Sequence, residues 1–143
     1  MKRTKKNMTT NEEKIKKLKS YQNSWKEIQR LADEIERLNS QAQKITQTLS
    51  SAPSGQGKSD RTVIVDKIVE RKEELQTTIE RAKRECAEIE TAIENVKTPI
   101  YQRVLKWKYI NGATFEEIAV RENYNYRYIV SKIHPEALEE LKF

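Results

Sequence analysis

From Tyr21 onward, apolar residues recur with heptad spacing. Tyr21, Ile28, Ile35, Ala42 and Leu49 form one column, and Leu31, Leu38 and Ile45 form the other. Leu18, Trp25 and Ala32 widen the stripe, and charged or amide residues fill the positions between. A narrow apolar stripe on a polar helix predicts coiled-coil packing. The pattern gives way over 50–60, a Ser/Gly-rich run with Pro53 that has the composition of a loop. A second stripe follows: Val65, Ile68, Leu75, Ile79, Ala82, Cys86, Ile89, Ile93 and Val96. Its steps alternate between three and four, except where Lys72 takes the apolar place. Asp60 is the predicted N-cap. Two helices of about 50 Å each, at 1.5 Å per residue, joined by a short loop predict an antiparallel hairpin. Folding about the loop sets Leu38 near Leu75, Ile35 near Ile79, Leu31 near Ala82 and Leu18 near Val96. Cys86 then fills a seam position as a small apolar group.

The pattern changes again after residue 97. Thr98-Pro99 predicts a helix start, with Pro at the first helical position. Ile100, Val104, Leu105 and Tyr109 mark its apolar face, and Asn111-Gly112 ends it with a left-handed glycine. Thr114-Phe115-Glu116-Glu117 is a capping box, because the Thr and Glu side chains satisfy each other's exposed backbone donors. It opens a short helix with Phe115, Ile118 and Ala119. Asn123 sits where a turn wants positive φ, which Asn tolerates. Asn125 caps a further helix in which Ile129 and Ile133 face the core. Two short helices around a tight turn, with a small Ala119 where they cross, predict a helix-turn-helix. The fold expected is all-α: a basic tail over 1–12, an antiparallel coiled-coil hairpin over 13–97 with its loop at 50–60, and a helix-turn-helix bundle over 98–143.

Composition narrows the chemistry. Of 143 residues, 35% are charged and 36% hydrophobic, too few apolar groups for a thick single core. No apolar run approaches the roughly 18 residues of a membrane span, and no signal-peptide core follows the basic start. One Cys and one His exclude a disulfide framework and an ordinary zinc site. Ala52 to Ser59 loosely fits a phosphate-binding loop with Lys58, and Val63-Ile64-Val65-Asp66 imitates a strand behind it. That chemistry needs a strand before the loop and a helix after it, whereas heptads precede it here, so a hairpin loop and no nucleotide are expected. No nucleophile–base pair or carboxylate cluster suggests catalysis, and no cofactor is implied. A reducing, cytoplasmic setting follows.

The net charge of +6 is uneven. Residues 1–19 hold eight bases against two acids, and the rest of the chain is balanced. Antiparallel folding returns this block to the helix-turn-helix. Lys2, Arg3, Lys5 and Lys6 are therefore expected to add sequence-independent phosphate contacts.

The run Val104-Leu105-Lys106-Trp107-Lys108-Tyr109, then Thr114-Phe115-Glu116-Glu117-Ile118-Ala119 and later Ala137-Leu138, resembles region 4 of sigma-70-type factors. More closely, the chain resembles small phage and prophage proteins with a sigma-like C-terminal helix-turn-helix, the ArpU/RinA-like late transcriptional regulators and related Gram-positive phage families. The likeness spans about residues 30 to 142 and is most specific in the last third. It implies DNA binding and control of phage gene expression in a bacterial host cell. Three departures stand out: Asn123 replaces the turn glycine, one extra residue lies between Tyr126 and Ala137, and Pro135 falls inside the recognition helix. Pro135 lacks a donor and clashes with the preceding turn, so the helix is expected to kink or stop near His134.

In this motif the N-terminal part of the last helix enters the major groove. Arg127, Tyr128, Ser131 and Lys132 are the groove-side candidates. Arg127 suits guanine or phosphate, and Asn125 caps or reads. Tyr124 is expected in the core, while Tyr126 and Tyr128 offer hydroxyls to phosphates. Lys106, Lys108 and Arg121 are further phosphate candidates, and His134 is read as a surface or helix-end group. The partners expected are double-stranded DNA, RNA polymerase and a second copy through the hairpin. A terminase-like packaging subunit and a coiled-coil interaction module without DNA binding are the alternatives.

Overall fold

In the computed structural model every described element is a helix. The structure describes residues 10–51 and 58–143, with the side chains of 10–47 and 60–143. Helix α1 spans Asn11–Ser51 and α2 spans Lys58–Glu94. Thr10 opens α1 with a capping box: the Glu13 N–H donates to Thr10 Oγ1 (3.1 Å) and the Thr10 N–H to Glu13 Oε1 (3.5 Å). Asp60 is not a cap. The helix begins at Lys58, which leaves Asp60 in the first turn, where a carboxylate complements the exposed amides. The strand-like run Val63 to Asp66 lies within α2, and the segment before Ala52 is also helix. Ala52–Gly57 lie outside the described residues.

The chain divides into two compact units, Lys26–Lys83 and the segments Met1–Trp25 with Arg84–Phe143. In the first, α1 and α2 run antiparallel around buried Ile28, Leu31, Ile68 and Leu75. Glu34 faces Arg71 (3.3 Å) across the pair. In the second, Lys17 meets Glu88 (2.6 Å), and Cys86 Sγ lies 3.9 Å from the Tyr21 carbonyl oxygen. Residues 34, 21 and 17 therefore face 71, 86 and 88. The expected pairing of Leu38 with Leu75 and of Leu18 with Val96 is out of register by about one heptad. A slip of seven residues brings the same apolar columns face to face, so periodicity alone does not choose between the two registers. Cys86 is buried in the seam, as a small apolar group should be. Burial also pushes its thiol pKa up, with Glu90 adding to the effect. Trp25 and Ala32 do not widen the stripe; both are exposed.

The C-terminal third is a small helical bundle within the second unit. Helix α3, Pro99–Leu105, continues as a π turn over Lys106–Ile110. Gly112 ends it at φ +77, and the Ala113 N–H reaches back to the Trp107 carbonyl (2.8 Å). Helix α4, Phe115–Glu122, starts on a complete Thr114–Glu117 capping box. It ends at Asn123, which is left-handed at φ 60 and ψ 42. Removing the box with Thr114→Ala should cost about 1 kcal/mol of stability, readable as a lower urea midpoint with an unchanged slope. Helix α5, Tyr126–Tyr128, runs through a π turn at Ile129–Ile133 into α6, His134–Glu140, with right-handed helical dihedrals at both joins.

Pro135 therefore neither stops nor breaks this helix. The π turn is the reason: the His134 N–H bonds the Ile129 carbonyl five residues back. The widened turn just before the proline relieves the crowding that an α-helical ladder would impose. Val104, Ile118, Ala119, Ile129 and Ile133 form the core of the bundle, with Ile100, Trp107 and Phe115 packed against it.

Side chains distant in sequence satisfy the helix ends. Glu140 accepts from the Lys97 and Thr98 N–H groups and from the Thr98 hydroxyl (2.6–2.9 Å), which makes it the anionic cap of α3. Gln22 of α1 donates to the Tyr109 and Ile110 carbonyls (3.2 and 2.6 Å) at the end of the first π turn. The Lys14 ammonium, also on α1, is buried and donates to the Leu138 carbonyl (2.7 Å) near the end of α6. The basic end of α1 thus packs on the C-terminal third.

Candidate nucleic-acid interface

The second helix of the motif presents a polar, aromatic outer face. Asn125 caps it, accepting from the Arg127 N–H at 2.7 Å. Ile129 and Ile133 point into the core at 0% and 4% exposure, which fixes the helix's rotation. Arg127, Tyr128, Ser131 and Lys132 are left on the exposed side, with Tyr126 beside them.

Their chemical states differ. Arg127 makes no ion pair among the described residues and stands free in the first turn. The Ser131 hydroxyl donates back to the Arg127 carbonyl (2.6 Å). Lys132 is held by Glu136 (3.0 Å), and that carboxylate also accepts from the Tyr101 hydroxyl. The Tyr101 and Lys132 hydrogen bonds pull the Glu136 carboxyl below the usual range. The same carboxylate pushes the Tyr101 phenol up to about 12, chiefly through the shared hydrogen bond.

Tyr124 is not in the core. It is 42% exposed and packs against Tyr128, itself 41% exposed, with ring centroids 5.5 Å apart and planes tilted by 34°. The turn explains this. The Tyr124 N–H closes the end of α4 on the Ala119 carbonyl (3.0 Å), which aims its side chain outward along the next helix.

The other cationic candidates lie on rings. Lys108 Nζ sits 4.2 Å from the Phe115 centroid, and the Arg121 guanidinium 4.4 Å from the Trp107 centroid. Each is partly ordered by its aromatic neighbour yet keeps a cationic head for an anion. Lys106 is half-buried on the same helix as Lys108.

An acidic clasp, invisible in the sequence pattern, braces the motif from behind. Glu122 at the end of α4 accepts three hydrogen bonds from Arg103 (2.9–3.1 Å) and one from Trp107 Nε1 (3.2 Å). It ties α3 to the turn and takes Arg103 out of the pool of available cations.

His134, the first residue of α6, is not a surface group. It is 8% exposed, its Nε2 lies 2.7 Å from the Tyr109 hydroxyl, and its ring meets Phe115 edge-on at 4.9 Å. Burial, with Lys108 nearby, lowers its pKa to about 4, so the ring is neutral at neutral pH. A neutral ring with its proton on Nδ1 accepts from Tyr109. Burial pushes that phenol up to about 12.

The basic N-terminal block divides in the same way. Lys2, Arg3, Lys5 and Lys6 lie outside the described residues. Lys14 is buried, with its pKa lowered by desolvation and by Lys142, and Lys17 pairs with Glu88. Lys16 and Lys19 remain exposed. Among the described residues no helix is long and apolar enough to cross a membrane, and no group of three His, Cys, Asp or Glu side chains is placed to hold a metal ion. No family model, curated protein or solved structure matches this chain.

Proposed function

We propose that the C-terminal third is a helix-turn-helix that binds double-stranded DNA, and that the protein is a sequence-specific transcriptional regulator of phage or prophage type. One observation carries the DNA-binding part. A left-handed Asn123 turn sets an eight-residue helix against a second helix whose first turn exposes an uncommitted Arg127 between two tyrosines. The resemblance of residues 104–109 and 114–119 and of Ala137-Leu138 to region 4 of sigma-70-type factors, and of about residues 30 to 142 to small phage regulators, supports the transcriptional part. On this reading Arg127 and the exposed helix face enter the major groove. Lys108, Arg121 and Lys106 meet phosphates along its edge.

Arg127→Ala combined with Lys132→Ala tests the proposal. In a salt series on a duplex, the double variant should bind at least tenfold more weakly than the wild type, with a shallower slope of log affinity against log salt. Equal affinity and slope would refute DNA binding through this face. A second variant acts in the opposite direction. Glu136→Gln removes the carboxylate that neutralises Lys132, so it should strengthen duplex binding at low salt and steepen the slope by about one. An unchanged slope would mean that Lys132 does not reach phosphate.

A further inference from the structure

The polar groups on the proposed reading surface are not equally available. Asn125 Oδ1 holds the Arg127 amide, the Ser131 hydroxyl holds the Arg127 carbonyl, and Lys132 is paired with Glu136. The Arg127 guanidinium remains, exposed in the first helical turn, where a recognition helix meets base edges. Its planar fork matches the two major-groove acceptors of guanine, O6 and N7. Beside it in the chain, Tyr124 and Tyr128 form a paired aromatic surface, each ring about two-fifths exposed. The one apolar group that a base pair offers in the major groove is the thymine methyl.

We infer that this surface selects a G·C pair close to a thymine, with Arg127 holding guanine O6 and N7 and the Tyr124–Tyr128 pair packing on the thymine methyl. The inference rests on the duplex-binding reading above and adds the base chemistry it reads.

The test selects duplexes from a randomised pool with the full chain and then alters single atoms in the selected site. Replacing the guanine with 7-deazaguanine removes N7 and should weaken wild-type binding about tenfold. It should leave Arg127→Ala, already weaker, unaffected. Replacing the thymine with uracil removes one methyl and should cost the wild type about fourfold, the worth of one buried methyl group. The Tyr124→Phe/Tyr128→Phe variant should keep that discrimination and Tyr124→Ala/Tyr128→Ala should lose it, which separates a ring contact from a hydroxyl–phosphate contact. Circular dichroism on each variant checks the fold.

The inference is overturned by a selected site without guanine, a guanine preference that persists in Arg127→Ala, uracil bound as well as thymine, or discrimination lost in the Phe pair. Retention of duplexes with no consensus would also overturn it while leaving duplex binding intact. No retention even at low salt would overturn the duplex-binding reading itself.

Discussion

Replacing Ile129 by Ala should destabilise the C-terminal bundle by about 2–5 kcal/mol, the range for truncating a buried branched side chain. Ile129 is fully buried at the crossing of the two motif helices, against Val104, Ile118 and Ala119. It also accepts, through its carbonyl, the wide hydrogen bond that lets the helix continue into Pro135. Truncation leaves a void that this constrained π turn cannot easily collapse to fill. Urea unfolding should show a lower midpoint, and the amides of the bundle should exchange faster with solvent. Val120→Ala serves as the control. Val120 is 77% exposed, so its loss should change stability by less than about 0.5 kcal/mol. Equal effects at the two positions would contradict the core assigned here.

The elements behind that prediction differ in how readable they were. The Thr114 capping box, the left-handed Asn123 and the Asn125 cap are local. Each depends on a few neighbouring residues, so the amino-acid order nearly determines it. The Thr10–Glu13 box at the head of α1 follows the same rule, although the basic residues before it give that stretch the composition of a tail. The hairpin was legible as a pair of stripes, but its register was not, because heptads repeat and a one-heptad slip preserves the seam. Pro135 misled because its usual effect assumes an α-helical ladder, and the π turn at Ile129–Ile133 changes which carbonyls it meets. Tyr124 and His134 exchanged expected places. A tyrosine after a left-handed turn was drawn outward, and a lone histidine was buried because Tyr109 and Phe115 formed a site for it. The long-range caps from Glu140, Gln22 and Lys14 bridge up to 124 residues of sequence, and no local pattern announces them.

His134 carries the second large effect. In the unfolded chain its imidazole titrates near 6.5, whereas in the folded protein burial holds it near 4. Between these values the unfolded state binds a proton that the folded state refuses. Stability therefore rises with pH through this window. It is complete above about pH 7, declines as pH falls toward 4, and loses about 3 kcal/mol across the interval from this residue alone. Below pH 4 both states are protonated and the contribution levels off. Carboxylates such as Glu136 and Glu140 titrate toward the acid end and add their own slope. The comparison is therefore between wild type and His134→Asn, each unfolded with urea from pH 7.5 to 4. The variant should be less stable at pH 7 but should lose less on acidification, so the two curves converge. Parallel curves would mean that His134 is solvated and titrates normally.

Ile129 and His134 belong to the buried scaffold, and the outward face of the helix that begins at Tyr126 is the surface offered to DNA on the proposed reading. That face is only modestly cationic, because Glu136 engages Lys132. Binding there should rely on shape and on Arg127 more than on bulk charge. Backbone amide shifts of the full chain, titrated with a random-sequence duplex at low salt, test this most directly. The account predicts perturbations centred on Asn125 to Lys132, with weaker ones at Lys108 and Arg121. Perturbations confined to α1 and α2, or none at saturating duplex, would contradict it.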